Sequence, residues 1–427
     1  LAGGAVTNSL VNATGGLNIG GGVTLNGGKL LNYGTGLWSA GNFSGANGAV
    51  FSNLFGATLT TTVDGSASSA GGATPLFVNA GTFRKTGGTV VGGATSIDFQ
   101  FLNTGTVEVQ TNVLRYTVNE QTAGLTLLNG GGLDGVAGQS IKFLGGTLLG
   151  SGSVNISHLQ QLINSASFSP GLPFGQLDVT NDYSQTALGT LDIELGGTTP
   201  GVNFDQLRVF TGQAILGGTL NVTLTNGFSP PLGTTFLVVT SDLLPIGRVG
   251  AFATFNYPSN DIGLTLSYDS ASAKVTVSNL KPVVAHPITN PAPITYGGAF
   301  NFQFPTNTFS DPDTNTLTYT ASGMPAGVTF TGAARTFSGT PTQAGAFPVA
   351  VAATDNGTPS LSVTNTFTIT VNPADITGSF TTQDKVYDGN TNATVLTRTL
   401  NGVLPADTNN VSLTGGTASF GTATAGP

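Results

Sequence analysis

FVNAGTF, residues 77–83, and FLNTGTVEV, residues 101–109, are two copies of one phrase: apolar residues, an asparagine, a glycine-marked turn and a second β run. The phrase recurs as LVNATGGL (10–17), LLNYGTGL (30–37), FSNLFGATL (51–59) and LLNGGGL (127–133). Its asparagines are Asn12, Asn32, Asn53, Asn79, Asn103 and Asn129, spaced 20, 21, 26, 24 and 26 residues apart. A near-constant period in this range marks a solenoid of stacked units. Each unit holds two or three short apolar or alternating runs bounded by Gly, Asn and Ser, with no helical periodicity. The expectation is a parallel β-helix with one coil per repeat. Apolar side chains such as Val11, Leu31, Phe77, Phe101 and Leu127 are expected to stack inward. The six asparagines are expected to accept positive φ at one turn and to hydrogen-bond their copies in adjacent coils as an amide ladder.

The same style continues through 141–225. In LDIEL (191–195) and LNVTL (220–224) alternation is strict, so one face is buried and the other wet. Residues 1–225 are therefore assigned to the β-helix. Residues 226–280, with GFSPPLGTTFLVVTSD and GLTLSYDSASAKVTVSNL, are assigned to its end and cap, because open strand edges need cover. KPVVAHPITNPAP (281–293) holds four prolines and is expected to be an extended linker. Residues 294–373 show the strand lengths and turn spacing of an immunoglobulin-like sandwich, and 374–427 open a further, partial β module. The fold class is all-β: a parallel β-helix, an Ig-like β-sandwich and a partial second β module.

Composition narrows function. Only 7% of the 427 residues are charged and 63 are glycine, against about 25% charged in ordinary soluble proteins. Hydroxyls and amides carry solubility, and scarce charge leaves strand edges open to self-association. The twelve basic residues are scattered and the net charge is −8, which argues against nucleic acid and anionic membrane as partners. Cysteine is absent, consistent with a secreted bacterial chain stabilised by repetition instead of disulfides. No apolar run is long enough for a transmembrane helix. The chain begins at Leu1 instead of Met, so a preceding segment is expected to have been removed.

Three resemblances follow from specific residues. SFSPGLPFGQLDVTNDYSQTALGTLDIELGG (167–197) and FDQLRVFTGQAILGGTLNVTLTNGFSPPLGTTFLVV (204–239) resemble the passenger β-helix of autotransporter-type bacterial surface proteins. The resemblance implies a secreted β-helix. FSDPDTNTLTYTASGMPAGVTF (309–330) and FSGTPTQAGAFPVAVAATDNG (337–357) resemble a bacterial cadherin-like, dystroglycan-type Ig domain. DKVYDGNTNATV (384–395), with Lys385, Tyr387, Asp388 and Gly389, resembles the YDG repeat of giant bacterial surface proteins.

Chemistry has few residues to work with. Residues 1–150 hold ten charged side chains with no catalytic pairing at one-coil spacing, and Asp192 and Glu194 fall on the wet face of a strand. The two histidines, His158 and His286, do not build a triad, and there is no zinc motif, phosphate loop or nucleophile elbow. No catalytic residue is assigned, and the chain is expected not to be an enzyme. The cadherin-like resemblance implies calcium at Asp311, Asp313 and Asp355, with Asn315 and Asn356 as neutral helpers. Oxygen-rich loops of this kind suit a hard cation, although Asp311 and Asp355 are equally suited to capping turns. Calcium is thus the one cofactor to test.

The expected function is a structural or adhesive protein, outside the cell or on a bacterial surface, acting as stalk, adhesin or fibre component. Its partners would be surface glycans or other copies of the chain. A carbohydrate-binding or carbohydrate-cleaving β-helix is the alternative, with Tyr33, Trp38, Phe43, Phe51 and Phe55 as candidate groove aromatics. A homopolymeric filament is a third.

Overall fold

The computed structural model describes residues 3–88, 90, 93–116, 120–136, 138–157 and 159–424. His158 and the two chain ends lie outside the described residues. Two compact units divide between Asn279 and Leu280.

The first unit is a three-faced parallel β-helix. One face stacks Leu10–Ala13, Lys29–Asn32, Val50–Asn53, Leu76–Asn79 and Gln100–Asn103 in parallel, each asparagine-bearing strand four residues long. The same coils then enter a second face through Thr35–Ala40, Thr58–Thr61, Thr82–Lys85 and Thr106–Val109. A third face follows through Phe43–Ala46, Ser66–Ser69, Ala94–Ile97 and Val113–Tyr116. Strands are short because each must turn a corner after four residues. Threonine-rich positions face water, and alternate positions face the core.

The interior is filled. Trp38, Phe43, Phe51, Phe77 and Phe101 are buried, with successive ring centroids 5.0, 5.4, 4.7 and 5.3 Å apart. These separations suit tilted aromatic packing. The inward column on the first face is Leu30, Phe51, Phe77 and Phe101, two positions before each asparagine. Val11, Leu31 and Leu127 are not among the buried residues: Leu31 sits between inward Leu30 and Asn32, so the pleat turns it outward. Leu127 lies on the second face, where Leu128 points inward instead.

The coils run further than 225. Thr235–Ser241, Arg248–Gly250 and Thr254–Asn256 each pair in parallel with a strand of the preceding coil. The cap is Ser272–Leu280, which runs antiparallel along Thr235–Ser241 and breaks the parallel repeat.

The second unit opens with an Ig-like region. One sheet orders Ile294–Thr295, Ser362–Asn372, Gly345–Thr354 and Thr318–Ser322; the other orders Phe300–Gln303, Thr336–Gly339 and Val328–Thr331. Phe300, Phe304, Phe309, Phe337, Val351 and Ile369 form its core. Residues 281–293 are not a free spacer. Val283–Val284 pairs with Phe309–Ser310, Ile288 packs into the core, and the Asn290 side chain accepts the Thr368 N–H at 2.7 Å. Proline suits such edge positions because it has no N–H to give to a ladder. The rest of the unit pairs Thr377–Thr382 with Val395–Asn401 and Asn392–Ala393 with Ala418–Ser419.

Candidate functional site

An amide ladder runs along the first face of the solenoid. Asn32 Nδ2 donates to Asn53 Oδ1 at 2.9 Å, Asn53 to Asn79 at 2.8 Å, and Asn79 to Asn103 at 2.9 Å. Asn103 continues to Gln121 Oε1 at 3.3 Å. Each ladder side chain also donates to the main-chain oxygen that opens the second-face strand of the next coil: Thr58, Thr82, Thr106 and Leu125 in turn. The ladder therefore ties the corner of one coil to the corner of the next.

Two of the six asparagines stand elsewhere. Asn12 is paired with Leu31, leaving Ala13 opposite Asn32, so Asn12 points to solvent. Asn129 lies on the second face opposite Ser151 and is exposed. A slip of one residue is enough to reverse a side chain's face. The ladder asparagines do not occupy positive φ; Asn8, Asn47, Asn112, Asn181 and Asn226 do. Sequence reasoning missed Gln121 and, further along, Asn164 and Gln185. Asn164 donates to the Tyr183 hydroxyl at 3.0 Å, which donates to Gln185 Oε1 at 2.7 Å. For Gln121 and Gln185 the clue is an inward amide just before a Gly-containing turn; Asn164 is followed by Ser-Ala-Ser and has no such mark.

Charges are consumed between rungs. Arg84 and Glu108 are register partners at 2.6 Å, as are Arg115 and Asp134 at 2.6 Å. Lys142 and Glu120 meet at 2.6 Å, and Arg208 grips Asp178 with two bonds of 2.8 and 2.7 Å. Burial opposes ionisation of Glu108, but hydrogen bonds from Gln110 and Arg84 hold its carboxyl below the usual range. Asp192 accepts from Ser167 Oγ and Asn221 Nδ2, both at 2.6 Å.

Lys85 and Asp205 are fully buried in the solenoid. Lys85 fills an inward position, its ammonium 2.9 Å from Thr95 Oγ1 and Gly87 O and 3.2 Å from Asp64 Oδ1. Burial lowers its pKa, and Asp64 works against that shift. Asp205 is fully buried and accepts the N–H groups of Gly175 and Glu194, each at 2.9 Å. Burial pushes its carboxyl up to about 7 despite those two bonds.

In the Ig-like region, Asp311 Oδ1 caps a turn through the N–H groups of Asp313 and Asn315 at 2.9 and 3.0 Å. Asp355 Oδ1 does the same for Gly357 and Leu361. Asp313 Oδ2 accepts the Leu280 N–H at 2.8 Å. Asp311 Oδ2 and Asp313 Oδ1 are buried and take no hydrogen bond. Burial, with Asp311 and Asp355 nearby, raises the Asp313 pKa. Among the described residues no three His, Cys, Asp or Glu side chains are grouped to hold a metal. Two orphaned carboxylate oxygens nevertheless fit a hard cation, with main-chain carbonyls or waters completing its shell. His286 contacts Asn307 O at 3.0 Å.

Comparison with known families agrees with these modules. Residues 281–372 match the family described as "Putative Ig domain", and 370–427 match the YDG domain. The Ig match thus begins at the proline-rich stretch. No curated protein matches the chain. One solved structure, a nucleoside hydrolase-related hypothetical protein from Saccharophagus degradans associated with carbohydrate metabolism, shares 19% identity over 23% of this chain. The match spans 26% of that protein at a TM-score of 0.19.

Proposed function

We propose that this chain is a non-catalytic structural or adhesive protein of the bacterial surface or extracellular space, with the β-helix as its rod. The observation that carries this reading is the rung-to-rung pairing of charge: Arg84–Glu108, Arg115–Asp134, Lys142–Glu120 and Arg208–Asp178 each bind the coil above to the coil below. Groups tied in this way stiffen a stack and are not free to act as acids, bases or nucleophiles. The Ig-like and YDG matches support the surface assignment. Antibody raised against the chain should label intact, unpermeabilised cells of the source organism. Label seen only after permeabilisation would overturn the reading.

Calcium forms part of this proposal. Asp311 and Asp313 would hold it through the two buried oxygens that lack partners. Millimolar calcium should raise the melting temperature of the second unit by several degrees, and magnesium should do less, because it resists dehydration. Asp313→Asn should abolish the calcium response. A melting curve indifferent to calcium in the wild type would remove calcium from the account.

A further inference from the structure

Strands Thr190–Leu195, Thr219–Leu224 and Thr254–Asn256 stack in register, so Asp192, Asn221 and Asn256 form one outward column. Asn221 Nδ2 donates to Asp192 Oδ1 at 2.6 Å, and Asn256 Nδ2 donates to Asn221 Oδ1 at 2.8 Å. Asn256 is exposed, at the end of this relay. Beside the column lies a groove of about 690 Å³, lined also by Tyr257, Pro258 and Asp261. The Tyr257 ring is half-buried and braced by Phe255, with centroids 4.9 Å apart and planes inclined by 33°.

These parts match the chemistry of a sugar. A pyranose offers an apolar C–H face to an aromatic ring and hydroxyl pairs to planar amides and carboxylates. The relay fixes the Asn256 amide in place, so little side-chain entropy is lost on binding. A concave site with one aromatic and a few oriented polar groups is the usual form of a small-ligand site. Asp192 and Asp261 line the groove and no basic residue does, so an acidic saccharide is disfavoured.

We propose that this groove binds a neutral saccharide, with Tyr257 stacked on a pyranose face and Asn256 and Asp261 hydrogen-bonded to its hydroxyls. The site adds a ligand to the rod; cell labelling tests the surface assignment separately. The test is affinity electrophoresis of the full chain through gels containing dextran, mannan, xylan, laminarin or pectate. At least one neutral polysaccharide should retard the protein, and pectate should not. Tyr257→Ala should weaken the interaction tenfold or more, while Tyr257→Phe keeps most of it. Asn256→Ala, an exposed change, should weaken it several-fold without moving the unfolding midpoint. Retardation by no neutral polysaccharide, retardation by pectate alone, or retention unchanged in both alanine variants would overturn the proposal.

Discussion

Asn79→Ala is the sharpest test of the solenoid. Asn79 is fully buried and holds three ladder bonds: from Asn53 at 2.8 Å, to Asn103 at 2.9 Å and to Thr106 O at 2.9 Å. Truncation leaves Asn53 with its bond to Thr82 O, but Asn103 Oδ1 and Thr106 O each lose the Asn79 donor. A buried polar group left unsatisfied costs about 1–3 kcal/mol. Two such groups put the loss at about 2–6 kcal/mol. The chain's single tryptophan, Trp38, is fully buried in the solenoid, so its fluorescence reports this unit and not the Ig-like region. With a urea slope of about 3 kcal/mol/M, the Trp38 midpoint should fall by roughly 1–2 M. Asn12→Ala removes the same side chain from an exposed position and should shift stability by under about 0.5 kcal/mol. Asn32→Ala, which takes the donor from Asn53 Oδ1 and Thr58 O, should cost about as much as Asn79→Ala. If Asn79→Ala and Asn12→Ala unfold at the same urea concentration, the ladder is an ornament of the coil and the argument fails.

Two further outcomes follow from the buried charges. Asp205 has its pKa raised from 3.8 to about 7, so the native state binds the extra proton between those values. Its contribution to stability is greatest at low pH and falls as pH rises through 7, by up to about 4 kcal/mol at about 1.4 kcal/mol per pKa unit. Asp205→Asn should flatten the Trp38 denaturation midpoint across about pH 4–7; an unchanged slope would show that Asp205 stays ionised. Lys85→Ala removes the buried ammonium with its bonds to Val63 O, Asp64, Gly87 O and Thr95 and opens a cavity, and should cost about 3–5 kcal/mol by the same fluorescence measurement. A loss below about 1 kcal/mol would mean that water reaches the site.

The period of the coil was legible because one corner repeats the same chemistry: an inward amide, then a glycine-marked turn. That pattern locates Asn32, Asn53, Asn79 and Asn103. It does not locate Asn12 and Asn129, because the same letters one residue out of register face solvent. Gln121 escaped notice because glutamine replaces asparagine just where the period drifts. The ion pairs were hidden for a related reason. Their partners lie 24, 19, 22 and 30 residues apart, and only the register shows that these unequal distances each equal one rung. The proline-rich stretch misled because proline density reads as a linker, whereas edge strands tolerate proline equally well.

The unequal coil lengths also show where this fold stores its freedom. From the ladder asparagine to the second-face strand the corner is short: three residues for Asn32 to Thr35, Asn79 to Thr82 and Asn103 to Thr106, and five for Asn53 to Thr58. The connection from second to third face varies instead, from Ala40–Phe43 to the longer Lys85–Ala94 passage. Loop closure penalises such growth only weakly, but the coil beneath must still be held in register. Apolar contact alone does not fix register, since a phenylalanine column tolerates sliding. At the long passage Lys85 supplies the fixing contacts, bonding Val63 O, Asp64 and Thr95 across the interior and Gly87 O within the passage itself. The buried ammonium thus does at this passage what the amide ladder does at the short corner. A polar group that is costly to bury persists where the apolar core cannot specify alignment.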